Sequence, residues 1–131
     1  MKQIICLAGQ GGVGKDHVAD RIKNNLSGSI KISLADPIKV ILAEAGLKVE
    51  LLWGNSKERN RKLSKKEIHN FWLNLPYGDS YNILMNHEIN HKKDLTIRDL
   101  LQCLGEGHRG LNPSIWIDKC FEDCLIVWKA A

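Results

Sequence analysis

Gln3-Ile4-Ile5-Cys6-Leu7-Ala8-Gly9-Gln10-Gly11-Gly12-Val13-Gly14-Lys15-Asp16 is the stretch on which the reading of this chain turns. Its first half is a short apolar run that stops at glycine, the pattern of a strand buried on both faces of a parallel sheet. Its second half, Gly9 to Lys15, fits G-x-x-x-x-G-K. A loop of that spacing wraps a phosphate with successive backbone N–H groups, and glycine permits the positive φ angles and close backbone approach this needs. From Lys15 onward, Val18, Ala19, Ile22 and Leu26 recur on one helical face, with Asp20, Arg21 and Lys23 opposite. Such a helix aims its positive N-terminal end at the same anion. Lys15 then sets a point charge on the β- and γ-phosphates. The bare spacing arises by chance in about one chain in ten at this composition. Its position between an apolar run and an amphipathic helix makes it specific.

Working outward, Ser27-Gly28 ends the first helix and Ile30 to Ala35 predicts a second strand. Asp36 and Pro37 open a second helix, as N-cap and first helical residue, with Ile38, Ile41, Leu42 and Ala45 on its buried side. Gly46 stops it. Strand, helix, strand, helix is the opening of an α/β fold with a parallel sheet flanked by helices. Lys65 to Leu75 predicts a helix carrying Ile68, Phe71, Trp72 and Leu75, and Pro76 to Asp79 a turn. Thr96 caps a further helix through Leu104, with Asp99 three residues on. Asn112-Pro113 starts a last helix, Ser114 to about Asp123, before the apolar run Leu125-Ile126-Val127-Trp128. The 131 residues read as one domain, 1–131, in which 47–95 form a helical insert or lid and the acceptor region.

A hydrophobic fraction of 44% and a charged fraction of 26% describe a globular chain with a real core. The formal charge of +4 is mild and dispersed, so no nucleic-acid partner is expected. Ile4 to Ala8 is far too short to span a membrane, so no membrane partner is expected either. Cys6, Cys103, Cys120 and Cys124 form no C-x-x-C pair and read as reduced thiols of a cytoplasmic protein.

Three blocks in order carry a family resemblance: Gly-Lys-Asp at 14–16, Ser33-Leu34-Ala35-Asp36-Pro37-Ile38-Lys39, and Thr96-Ile97-Arg98-Asp99-Leu100-Leu101-Gln102-Cys103-Leu104-Gly105-Glu106. Arg109, Asn112-Pro113 and Trp116 continue the third. Together they resemble the deoxynucleoside monophosphate kinases of phages over residues 1–124, with the middle third poorly matched. The resemblance implies a P-loop NTPase fold and transfer of the γ-phosphate of ATP to a deoxynucleoside monophosphate, with Mg²⁺. Gly9, Gly11, Gly12, Val13, Gly14, Lys15, Asp16 and His17 would bind ATP. Lys15 and Arg98 would be catalytic. Asp36, Lys39, Arg98, Gln102 and Arg109 would hold the acceptor. A second role stays open for two of them, because Asp36 is also a good N-cap and Arg98 a ready surface ion-pair partner.

Two positions depart from the family. Asp16 stands where a phosphate loop ordinarily has Ser or Thr to ligate Mg²⁺; a carboxylate reaches a hard cation directly or through water, which makes Asp16 the metal candidate. His17 stands where the family has Thr, and on a first helical turn it reads as solvent-facing. The family continues with further strands, and Leu125 to Trp128 resembles the start of one, so the sheet is expected to be incomplete at its C-terminus, either through a truncated gene or to be completed by a second copy or a partner chain. The resemblance also implies the cytoplasm of a phage-infected or prophage-carrying cell. A remnant that binds nucleotide without turnover is the alternative within this reading.

Other readings compete. Gly11 to Lys15 is shared with partition-type and signalling ATPases, which have Thr where Asp16 stands, and dephospho-coenzyme A kinase is another small P-loop kinase. His87-Glu88-Ile89-Asn90-His91 matches the H-E-x-x-H of zinc peptidases, a spacing chance yields in about one chain in a hundred. On an α-helix it would set both imidazoles on one face for Zn²⁺, with the carboxylate as general base. No G-x-x-H follows to supply a third ligand. Cys120 and Cys124 read as core packing under the last helix, and the basic run Lys57 to Lys66 as a solvated face or a mobile lid.

Overall fold

The computed structural model describes residues 3–8, 14–54 and 56–130. Eight α-helices occur among them: α1 (Lys15–Asn25), α2 (Asp36–Glu44), α3 (Val49–Trp53), α4 (Ser56–Arg59), α5 (Lys65–Asn74), α6 (Asp79–Met85), α7 (Ile97–Leu111) and α8 (Ile115–Ala130). A 3₁₀ turn covers Glu88–His91.

α7 is the centre. Ile97, Leu100, Cys103, Leu104 and His108 fall at helical spacings of three and four, and all are buried. Its start is fixed by a reciprocal pair of bonds: Thr96 Oγ1 accepts from the Asp99 N–H at 3.2 Å, and the Asp99 carboxylate accepts from the Thr96 N–H at 3.0 Å. Ile38 and Leu42 from α2, Leu51 and Leu52 from α3, Phe71 from α5, Leu84 from α6 and Trp116 from α8 complete the core. Each such side chain contributes about 1.5–3 kcal/mol on full burial.

Small residues set how closely the helices approach. A Cβ at Gly105 would meet Ile38 Cδ1 at 3.4 Å, and one at Gly107 would run into the Ile83 side chain. Trp116 locks α8 to α7 by donating its indole N–H to the Gly105 carbonyl at 2.9 Å. A second capping box, Ser64 with Glu67, starts α5, and Arg61 holds the Glu67 carboxylate at 3.0 Å. The Leu63 N–H donates to the Leu95 carbonyl at 2.8 Å, beside an isolated antiparallel bridge of Lys62 with Thr96. That contact ties the starts of α5 and α7 together. Residues 47–95 supply Leu47, Leu51, Leu52, Leu63, Phe71, Leu75, Leu84 and Leu95 to the common core.

The α/β expectation, a P-loop NTPase fold with a parallel sheet, is overturned: the described residues contain no strand. Residues 3–8, expected as a central strand, have no regular structure and are exposed. A parallel strand exists only through the ladder of a neighbour, and an apolar run of six does not reveal whether a neighbour is there. Ile30 to Ala35, the expected second strand, is also irregular. There the Asp36 carboxylate accepts from the Ser33 N–H at 2.9 Å, and the Asp36 N–H bonds the Ser33 carbonyl at 3.1 Å. These local bonds take the backbone groups a ladder would need.

Two further expectations are corrected. None of the described residues of α1 is buried, so its apolar face is not covered as periodicity predicted. Leu125 to Trp128 is the end of α8 and not the start of a strand, because no Gly or Pro interrupts the helix after Asp123. No helix among the described residues is long and apolar enough to cross a membrane.

Candidate functional site

Gly9, Gly11, Gly12 and Val13 lie outside the described residues. Gly14 does not. Its φ of 89° is in the left-handed region that only glycine enters at little cost, and it is the N-cap of α1. Gly14 brings no side chain to cap that end. Asp16 follows in the first turn, mostly exposed, 3.4 Å from Lys31 Nζ. The same ammonium donates to Asp20 at 3.0 Å. Burial works against the charge on Lys31, but the bond to Asp20 and the charge of Asp16 outweigh it and raise its pKa. His17 lines a shallow groove along α1 with Arg21 and Asn25, among Val18, Ile22 and Leu26.

Asp36 is spent on two bonds: Oδ2 accepts from the Ser33 N–H at 2.9 Å, and Oδ1 accepts from the Trp53 indole N–H at 3.0 Å. It therefore fixes the turn before α2 and the ring at the end of α3. Asp36 is the first residue of α2, with Ala35 as N-cap, which shifts the expected cap by one. Lys39, one turn on, sets Nζ 5.8 Å from the centroid of the Trp53 ring. Burial lowers the Lys39 pKa and the charge of Arg59 adds to it, while Asp36 and Asp16 pull the other way. The charges of Asp16 and Lys31 thus act on Lys39 as well.

Arg59 closes the other side. Its Nη1 donates to the Leu52 carbonyl at 3.2 Å and the Gly54 carbonyl at 3.1 Å, at the C-terminal end of α3 where such carbonyls lack helical partners. The neighbouring Asn60 accepts from Arg98 Nε at 2.6 Å, which brings the first turn of α7 to this corner. Gln102 lies one turn further along α7 and is exposed. Arg109 is exposed as well, about 16 Å along the axis from Arg98 at 1.5 Å per residue.

The residues expected to share a site therefore fall into groups. Lys15 and Asp16 start α1; Asp36, Lys39 and Arg98 gather around α3 and α4; Arg109 stands apart toward the far end of α7. Trp53, Arg59 and Asn60 join the second group without having been singled out. Arg59 lay within a basic run, whose charge alone does not say which member is held by backbone carbonyls.

The H-E-x-x-H segment does not form an α-helix. Glu88–His91 is a 3₁₀ turn, and His87 Nδ1 accepts from the Ile89 N–H at 3.2 Å as its cap. At three residues per turn, side chains four apart point about 120° away from each other, so the shared face required for Zn²⁺ is lost. Among the described residues no group of three His, Cys, Asp or Glu could hold a metal ion. Cys120 and Cys124 are half-buried on α8, and burial raises the Cys120 thiol pKa, with Cys124 adding to it. No protein-family model, curated protein or solved structure matches this chain.

Proposed function

We propose that the chain is a phosphotransferase that moves the γ-phosphate of ATP to a deoxynucleoside monophosphate. The observation that carries this reading is the left-handed Gly14 as N-cap of a helix that begins at Lys15. A helix N-terminus with a lysine at its first position suits a phosphate, because the positive end of the helix dipole and the lysine charge both favour an anion there. Phosphoryl transfer asks little covalent chemistry of the protein; it asks for cations that hold two anionic substrates in line. Lys15 serves the donor, and Lys39 and Arg98, gathered at the neighbouring corner, serve the acceptor. Mg²⁺ bound to nucleotide phosphates needs only one or two protein carboxylates, and Asp16 fits that part by exchanging its ion pair with Lys31 for the cation. When bound, the ion would neutralise charge on the phosphates.

Thermal unfolding of the purified chain with and without Mg·ATP, followed by product analysis with each deoxynucleoside monophosphate, tests the reading. ATP at a hundred times its dissociation constant contributes about 2.7 kcal/mol, and Lys15→Ala should remove most of that rise and all diphosphate formation. An unchanged melt with ATP sinks the proposal. A raised melt with no diphosphate formed leaves nucleotide binding and removes transfer.

A further inference from the structure

Lys39, Trp53 and Arg59 come from α2, α3 and α4 and meet at one corner. Neither cation lies within ion-pair distance of a carboxylate among the described residues. Of the acidic groups whose charge acts on Lys39, Asp16 is paired with Lys31, and Asp36 accepts from the Ser33 N–H and the Trp53 indole; Glu58, next to Arg59, is paired with Arg61. Lys39 keeps only an aromatic ring beneath its ammonium. Burial and the charge of Arg59 both oppose its protonation, so the folded chain holds two cations together at a cost that an anion between them would remove.

The shape of the corner selects the anion. Arg59 is pinned through Nη1 alone, by two backbone carbonyls. Nε and Nη2 make no hydrogen bond among the described residues and present the two-point edge that matches two oxygens of one phosphate. The Trp53 ring, fixed by Asp36, holds the Lys39 ammonium 5.8 Å from its centroid, and Arg59 bonds the carbonyls on either side of Trp53. Asn60, next in sequence to Arg59, accepts from Arg98 Nε, which ties this corner to the first turn of α7.

We propose that Lys39 and Arg59, set about the Trp53 indole, form the seat for the phosphate of a nucleoside monophosphate. This rests on the reading of the chain as a kinase of such acceptors, and it adds Arg59 as a phosphate-binding residue and Trp53 and Asp36 as positioning residues. A purely structural Arg59, capping α3, accounts for the Nη1 bonds but not for the unpaired Lys39 beside it.

Calorimetric titration of the full chain with each deoxynucleoside monophosphate, with the corresponding deoxynucleoside, and separately with Mg·ATP tests the seat. Arg59→Ala and Lys39→Met should each weaken the monophosphate by about tenfold or more while the ATP constant stays within about twofold, and Lys15→Ala should do the reverse. Arg59→Lys, which keeps charge but loses the two-point edge, should fall between wild type and Arg59→Ala. Should Arg59→Ala fail to fold, Lys39→Met decides. Monophosphate and deoxynucleoside binding equally well overturns the seat, as does a monophosphate constant unmoved in the folded variants. ATP bound without any monophosphate overturns it and leaves the donor half of the kinase reading standing. Monophosphate bound without ATP does the opposite: the seat stands and the kinase falls.

Discussion

His108 illustrates how a single buried polar residue couples stability to pH. Its Nε2 lies 2.7 Å from Ser80 Oγ, and its ring meets Trp116 edge-on at 5.4 Å. Burial lowers its pKa from 6.5, against the opposing pull of Asp79. The unfolded chain therefore takes up a proton at a higher pH than the folded chain does. Stability is full above pH 6.5 and is lost as pH falls below it toward the folded value, so unfolding free energy should decline as pH falls through 6.5, and less steeply in His108→Gln. Ser80→Ala leaves the buried ring nitrogen without its partner and should cost about 1–3 kcal/mol in urea unfolding. At this scale the site was half legible. Gly14, Lys15 and Asp16 belong to one motif and can be read in a line. Trp53 and Arg59 matter only because three helices converge, and nothing within the sequence around either residue announces that.

Elements respond to neighbours that their own sequence does not show, and two glycines of α7 separate the effects. A methyl at Gly107 meets the β-branched Ile83, which has little rotameric freedom to yield. The overpacking, about 1–3 kcal/mol, exceeds the gain of about 1 kcal/mol that alanine brings to a helix. At Gly110 nothing lies within 4 Å of the added Cβ, so the propensity gain stands alone. Thermal unfolding should show Gly107→Ala destabilised and Gly110→Ala stabilised by up to about 1 kcal/mol. Local signals of this kind explain which elements could be read in advance. Thr96 with Asp99 announced the start of α7, and Ser64 with Glu67 carried the same signature at α5. The far end of α8 was misread because an apolar run of four looks the same as a strand or as a continuing helix.

At the scale of the whole molecule, the buried apolar residues among those described run from Ile38 to Trp116, and α1 lies outside that span. Leu104→Ala, at a fully buried position, should cost about 2–5 kcal/mol, whereas Val18→Asp on α1 should stay within about 0.5 kcal/mol. Amide exchange should be slowest in α7 and fast throughout α1; equal protection of the two would refute the division. The helical half of the chain was legible because its periodicity and caps are local. The parallel sheet was not, since a strand is a relation between segments, and residues 3–8 have no partner strand among the described residues. Ile4, Ile5 and Leu7 are 59%, 56% and 40% exposed. In colloidal terms they make residues 3–8 an adhesive end, whose greasy side chains bear on how concentrated a solution of the protein stays clear and how soon sulfate salts it out.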